Sequence, residues 1–408
     1  MSVKMDSCSR REFLKTAGAA GVGALLSGAD LQRAVWAAAD PGDEAVPVRA
    51  FGKTGVSVPI LGFGGSQNLE SKQRLLRQAV KLGVTYWDTA ESYAEGRSEN
   101  AMGDYLEKYP GDRKKIFLVT KSHSTRPSRL SQGLDDSLKR LNSQYVDLFF
   151  IHGISSPDEM DRDIRTWAER AKAEGKIRFI GFSAHSNMEA CMMGAAKLGW
   201  IDGIMVTYNY RLMHRSDMKR AVEACVKAGI GLTAMKTQAG WSWGDVGRKS
   251  RTSEQLIEEF SRKGFSREQA RLKAVWENPH ISTICSEMTN LKMLTANVAA
   301  ARNRTGLSLK GTRLLNQYAR ETASRYCAGC AGICESVLNA SVPVRDTMRY
   351  LMYARCYRDP VRAKSLFREM PPLVKQRMEK IDYTAAEISC PQGMPIGRLM
   401  KEAVVELA

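Results

Sequence analysis

The chain has 408 residues, 43% hydrophobic and 26% charged, a balance that excludes disordered, collagen-like and heptad-repeat proteins. The mean hydropathy is −0.33, and no uncharged apolar run reaches the roughly 20 residues a spanning helix needs, so an integral membrane protein is not expected. Lys and Arg number 61 against 44 Asp and Glu, a formal charge of +17. The basic residues are dispersed rather than interleaved with aromatics, so no nucleic-acid partner is expected either.

At the N-terminus, Ser9-Arg10-Arg11-Glu12-Phe13-Leu14-Lys15 fits the twin-arginine export pattern. A weakly apolar Gly- and Ala-rich stretch follows from Thr16 to Ala29, and Ala37-Ala38-Ala39 offers a cleavage site before Asp40. Residues 1–39 therefore read as a signal peptide. Its partner is the twin-arginine export machinery, and the destination is the periplasm or the exterior of a cell with one membrane. An amphipathic helix that happens to carry two arginines is the alternative.

From Pro59 to about Asn303, short β-rich runs alternate with segments of helical periodicity. The runs are Pro59–Gly64, Gly83–Ala90, Lys115–His123, Tyr145–Gly153, Ile177–His185, Asp202–Tyr210, Gly229–Thr237 and His280–Ser286. Ser71–Leu82, Arg129–Leu141 and Ser216–Lys227 typify the helices between them. Continuous apolar runs such as Asp147-Leu148-Phe149-Phe150-Ile151 suit parallel strands buried on both faces. Eight such units predict an α/β fold, a (β/α)8 TIM barrel over residues 46–307, with a small hairpin at Phe51–Val56 before it. A doubly wound sheet fits less well, because Leu61-Gly62-Phe63-Gly64-Gly65 does not spell the expected Gly-rich fingerprint. After about Leu307 the β-rich alternation stops, and residues 308–408 read as a small α-helical domain.

A barrel of this type carries its active site where strands end. The second run ends in Asp88-Thr89-Ala90 with Tyr93 just beyond, the third in Lys121, the fourth in His152 and the fifth in Ser183-Ala184-His185. A phenol is a poor acid at neutral pH. An ammonium beside it stabilises the phenolate and lowers its pKa, and a carboxylate holds that ammonium in place. A tyrosine so tuned can pass a proton to a carbonyl oxygen, and a neutral imidazole can orient that carbonyl.

Asp88-Thr89-Ala90-(x)2-Tyr93, with Gly96-x-Ser98-Glu99 and Gly103 behind it, resembles the signature of the aldo/keto reductases. The resemblance runs over residues 48–303 and includes Lys121, Tyr145-Val146-Asp147-Leu148 leading to His152, and Gly181-x-Ser183. It implies an NAD(P)H-linked oxidoreductase acting on a small carbonyl or alcohol substrate. In that scheme Tyr93 is the general acid/base, Lys121 and Asp88 tune it, and His152 orients the substrate. Ser183, Asn209, Met235 and Lys236 are implied cofactor contacts. The departures also concern the cofactor. Ala184 stands where the family commonly has Asn, Met205 near a usual Gln, and Met235 where an aromatic ring stacks on nicotinamide. The last loop, Cys285-Ser286-Glu287-Met288-Thr289-Asn290, has no basic residue until Lys292, and Glu287 opposes a 2′-phosphate. The choice between NAD and NADP therefore stays open.

Five of the nine cysteines lie in the helical segment. Cys327-Ala328-Gly329-Cys330-Ala331-Gly332-Ile333-Cys334 and the later Cys390-Pro391 resemble pieces of a ferredoxin iron–sulfur motif. Cys327, Cys330, Cys334 and Cys390 add up to the ligands of one 4Fe-4S cluster, in a ferredoxin-like domain able to serve a redox partner protein. Cys356 as fourth ligand, a four-cysteine zinc site and disulfides formed after export are the alternatives. Cys8, Cys191, Cys225 and Cys285 read as signal or core thiols. His123, His185, His214 and His280 lack metal-ligand spacing, although His123 and His185 follow strand ends and are candidates for the pocket wall. Met192, Met193, Met348 and Met352 read as core filler, and Trp241 and Trp243 as a candidate aromatic wall. A non-catalytic barrel used for binding or electron-transfer assembly is the competing function.

Overall fold

In the computed structural model, residues 45–239, 251–339, 342–356 and 359–408 are described. The leader and the Trp241/Trp243 loop lie outside the described residues. A hairpin of β1 (Val48–Ala50) and β2 (Ser57–Pro59) opens the fold. Eight parallel strands follow: β3 (Leu61–Gly64), β4 (Tyr86–Asp88), β5 (Phe117–Ser122), β6 (Val146–Ile154), β7 (Ile177–Ala184), β8 (Gly203–Thr207), β9 (Gly231–Met235) and β10 (Thr283–Glu287). They close into a barrel in sequence order, with β10 pairing back onto β3. Each of the eight β-rich runs of the sequence supplies one of these strands.

The helices around the barrel are α1 (Gln73–Lys81), α2 (Arg97–Lys108), α3 (Pro127–Arg140), α4 (Arg162–Ala173), α5 (Met188–Leu198), α6 (Ser216–Lys227), α7 (Arg251–Arg262), α8 (Arg267–Trp276) and α9 (Leu291–Arg302). Each buries one stripe at helical spacing, as with Leu130 and Leu134 in α3 or Ile164, Trp167, Ala168 and Ala171 in α4. Several start on side-chain caps that satisfy free backbone N–H groups: Asp161 on Ile164, Ser266 on Gln269 and Asn290 on Met293.

Inside the barrel, Phe51 from the hairpin turn plugs the lower end with Tyr86, Phe117, Leu148 and Phe150. The plug works because the strands around it carry glycine. A Cβ on Gly231 would lie 2.6 Å from the Phe51 ring, and one on Gly181 would lie 1.8 Å from the Gly203 carbonyl oxygen. The lower barrel is thus packed solid, and the open end lies at the strand C-termini.

The remaining helices are α10 (Leu309–Glu321), α11 (Ala331–Cys334), α12 (Val344–Arg355), α13 (Pro360–Arg368), α14 (Pro372–Lys380), α15 (Thr384–Ser389) and α16 (Ile396–Leu407). The boundary expected at residue 308 marks the N-cap of α10, Ser308. Yet Leu314 and Leu315 of α10, with Tyr326 and Ala328, join the hydrophobic core of the barrel. A separate core begins only at Val342 and runs to Leu407, around Met348, Leu351, Phe367 and Met400. The apolar stripe of α10 found its nearest partner in α7, which places the physical boundary later than the change in sequence style. No helix among the described residues is long and apolar enough to cross a membrane.

Candidate active site

Asp88 ends β4 and pairs in register with Val119 of β5, so Lys121, two residues further along β5, points into the barrel on the same side as Val119. The Lys121 ammonium is fully buried and lies 2.7 Å from both Asp88 carboxylate oxygens. It also donates to the Thr89 carbonyl at 2.6 Å and to the Tyr93 hydroxyl at 3.3 Å. All three of its donors are therefore used.

Tyr93 is held by its loop. Its N–H donates to the Ala90 carbonyl, and the next two residues, Ala94 and Glu95, sit at φ 50° and 58°, strained values for residues with a Cβ. Arg97 pins that turn through the Ala94 carbonyl at 2.9 Å. Ser98 and Glu99 earn their places in the motif as braces. Ser98 donates to the Gly65 carbonyl at 2.6 Å, while buried Glu99 accepts from Thr120 and from Arg140 Nε.

On the neighbouring strand, His152 meets the Tyr93 ring edge-on at 5.6 Å between centroids. His123 stacks behind it at 4.0 Å and donates from Nδ1 to the His152 carbonyl. Burial, reinforced by the Lys121 charge, holds the His152 imidazole well below its ordinary pKa, so it is neutral at neutral pH. Its Nδ1 is buried without a hydrogen-bond partner.

From the sequence, the Lys121 charge is expected to lower the Tyr93 pKa. Lys121 does pull it down, but burial outweighs that pull, and with Asp88 and Cys285 also raising it the phenol is pushed up to about 12. Tyr93 is thus a protonated donor at neutral pH. Lys121 is raised above the ordinary lysine value because Asp88 and Tyr93 together outweigh its burial. Burial raises the Asp88 carboxyl, an effect the Lys121 charge only partly offsets. Cys285, expected to be a core thiol, instead lies beside Asp88 and lines the site.

These groups open into a cavity of about 1320 Å³. Asp88, Tyr93, His152, His185, Met235 and Lys236 line it from the barrel. Two implied cofactor contacts do not. The Ser183 hydroxyl accepts from the Gly153 N–H at 3.0 Å, and Asn209 donates to the Tyr326 hydroxyl at 3.0 Å while accepting from the Arg211 N–H. Both side chains hydrogen-bond to the backbone or to the helical segment. The C-terminal segment supplies wall residues that sequence reasoning missed: Tyr318, Arg325, Tyr353 and Arg362. On α8, Arg267 and Arg271 also reach the cavity, supplying the positive charge absent from the last loop. Nothing in the local spacing of these residues ties them to the proton-transfer group at the barrel mouth.

In the helical segment, Cys327, Cys330, Cys334 and Cys390 line one small cavity with Ile333 and Met394. Cys356, at the C-terminal end of α12, is not part of that lining. Among the described residues no group of three or more His, Cys, Asp and Glu converges as a ligand set for a metal ion.

The description of the aldo/keto reductase family fits residues 60–308. The chain belongs to the aldo/keto reductase family. An aldo-keto reductase of Schizosaccharomyces pombe, named for NADP(+), is 33% identical over 34% of this chain and 45% of its own length. An L-galactose dehydrogenase of Arabidopsis thaliana is 24% identical over 65% of this chain and 91% of its own. The chain spans about half the length of curated relatives such as the S. pombe protein and, at 54%, an aldo-keto reductase of Gibberella moniliformis. Among solved aldo-keto reductases, the holo form from Bacillus halodurans superposes with a TM-score of 0.57 at 23% identity, covering 70% of this chain and 98% of that one. A thermostable aldo-keto reductase in complex with the inhibitor epalrestat gives 0.55 at 25% identity, covering 66% and 99%. The family match covers about three fifths of the chain, residues 60–308, and leaves the cysteine-bearing helices outside it.

Proposed function

We propose that the protein is an NAD(P)-linked oxidoreductase that interconverts a small carbonyl compound and its alcohol, with Tyr93 as the proton donor. The observation that carries this is the Lys121 ammonium bridging the Asp88 carboxylate and the Tyr93 hydroxyl at the cavity mouth. A nicotinamide nucleotide fits the residues present. The cavity has the required size, the buried His152 Nδ1 and His185 Nδ1 lack partners, and Arg267 and Arg271 line it as candidate phosphate contacts. Bound there, the nicotinamide supplies or accepts the hydride.

The rest of the chemistry belongs to this chain. His152, neutral, donates a hydrogen bond to the carbonyl oxygen and fixes its direction. As the carbon gains its new C–H bond and the C=O π bond breaks, the Tyr93 O–H proton moves to that oxygen. The phenolate left behind is stabilised by Lys121, which Asp88 keeps in place, and solvent returns the proton. Burial keeps Tyr93 protonated until that moment. Tyr93→Phe is expected to lower kcat roughly 100-fold or more, with Lys121→Met changing it in the same direction. Unchanged carbonyl turnover in both variants contradicts the assignment.

We further propose that Cys327, Cys330, Cys334 and Cys390 hold one 4Fe-4S cluster in a ferredoxin-like helical domain, and that residues 1–39 direct export by the twin-arginine route. The donor set fits a cluster. Burial pushes the Cys327 thiol up to about 11 and the Cys334 thiol to about 12, so a bound cationic centre is what would deprotonate them. The four thiols line one cavity, and a 4Fe-4S cluster takes one thiolate at each of its four iron atoms. The cluster supplies one-electron transfer, or a cross-link for a helical segment with a small core. Anaerobically purified protein is expected to carry about four iron and four sulfide per chain, and Cys390→Ala to lose them. Full iron content in that variant, or one zinc in the parent, contradicts the ligand set. Retention of an Arg10→Lys/Arg11→Lys variant in the cytoplasm checks the leader; unaltered export contradicts it.

A further inference from the structure

The cavity has a second cationic corner that the proton-transfer chemistry does not use. Lys236 follows β9 at φ 55°, a strained backbone that fixes where its side chain leaves the strand. Its ammonium is buried and lines the cavity, with the Tyr353 phenol as its polar neighbour. Tyr353 of α12 faces it, with the Lys236 Nζ 5.2 Å and the Arg362 Cζ 4.5 Å from the centre of its ring. Arg349, one turn before Tyr353, donates to the His185 carbonyl at 3.0 Å and adds its charge from behind.

Among the described residues, no carboxylate forms an ion pair with Lys236 or Arg362. Glu287, the nearby carboxyl that senses Arg362, is itself pushed toward its neutral form by burial. Burial lowers Lys236 to about 8. Burial raises the Tyr353 phenol, but Lys236, Arg349 and Arg362 overcome this and bring it down to about 8. Lys236 and Arg362 both lie against the Tyr353 ring, and an oxyanion entering that partly desolvated corner offsets their charge.

The position of this corner points to the substrate. The charges of Lys236 and Arg362 both depress the His152 and His185 imidazoles, so they act at the reacting end. Arg267 and Arg271 line the same cavity from α8.

We propose that Lys236, Tyr353 and Arg362 form an oxyanion subsite beside the reacting carbonyl, selecting substrates that carry a carboxylate or phosphate. The assignment rests on the carbonyl reductase reading above. It also makes the helical segment part of the substrate site rather than an appended electron carrier alone.

Two measurements on the full chain preloaded with NADP+ or NADPH separate this inference from that reading. The first is calorimetric titration with benzoate, phenyl phosphate and neutral benzamide. Either anion, or both, is expected to bind at least about tenfold more tightly than benzamide, and Arg362→Gln to erase the difference. Preference for benzoate alone identifies a carboxylate subsite, and preference for phenyl phosphate alone a phosphate subsite. Equal binding of all three, or an unaltered preference in Arg362→Gln, overturns the proposal.

The second is the ratio of kcat/KM for 4-carboxybenzaldehyde to that for 4-nitrobenzaldehyde, expected to fall about tenfold or more in Arg362→Gln. A fixed ratio overturns the proposal, as does a variant that weakens only NADP+ binding, which would give the cations to the nucleotide. Failure of the parent protein to turn over either aldehyde defeats the reductase reading instead, and the titration then decides the subsite by itself.

Discussion

A lysine with no solvent exposure, 2.7 Å from a buried aspartate, is the constraint from which the rest of the barrel mouth follows. Removing both charges from water costs several kcal/mol for each ion, and only close geometry with every remaining donor satisfied offsets it. The rim meets those terms: Asp88 and the Thr89 carbonyl take two of the Lys121 protons, and the Tyr93 hydroxyl lies on the third. Adjacent parallel strands fix the two charges, and a strained turn braced by Ser98, Glu99 and Arg97 fixes the phenol. The ion pair is the reason for that bracing, because a lysine without its aspartate could not stay charged in this setting.

Electrostatics then divide the mouth into two regions. Around Tyr93 the acid and base groups are balanced and closely bonded. Across the cavity, the strand-end Lys236 meets helices that belong to the C-terminal segment, and there positive charge accumulates unmatched. Arg345 to the Ser186 hydroxyl, Arg349 to the His185 carbonyl and Asn209 to the Tyr326 hydroxyl stitch this segment to the strand ends. Cys327 follows Tyr326 directly, so the thiol cavity and the barrel mouth are neighbours along the chain and share the same attachment.

The barrel was legible because its strands are continuous apolar runs and its helices carry one-sided stripes, both consequences of burial that survive in linear sequence. Asp88, Tyr93, Lys121 and His152 were legible for a related reason: polar residues at the ends of such runs have few other purposes. The rest depended on partners that no local pattern encodes. The acidity of Tyr93 turned on burial rather than on its nearest charge. Ser183 and Asn209 occupy positions a cofactor contact could hold, but Gly153 and Tyr326 take their hydrogen bonds. Arg349, Tyr353 and Arg362 carry no local motif, and only the fold brings them to the barrel mouth. The cysteine spacing singled out the four thiols that line one cavity, and the proline after Cys390 separated it from Cys356.

The most direct test of the central ion pair is the pH dependence of alcohol oxidation, the direction that needs the Tyr93 phenolate. Oxidation rises as the phenol loses its proton, so the alkaline limb reports its apparent pKa. Lys121→Met removes the one group close by that pulls that value down, and the limb is expected to move to higher pH while Tyr93→Phe abolishes it. A limb that stays at the same pH in Lys121→Met contradicts the claim that the buried ammonium governs the proton of Tyr93.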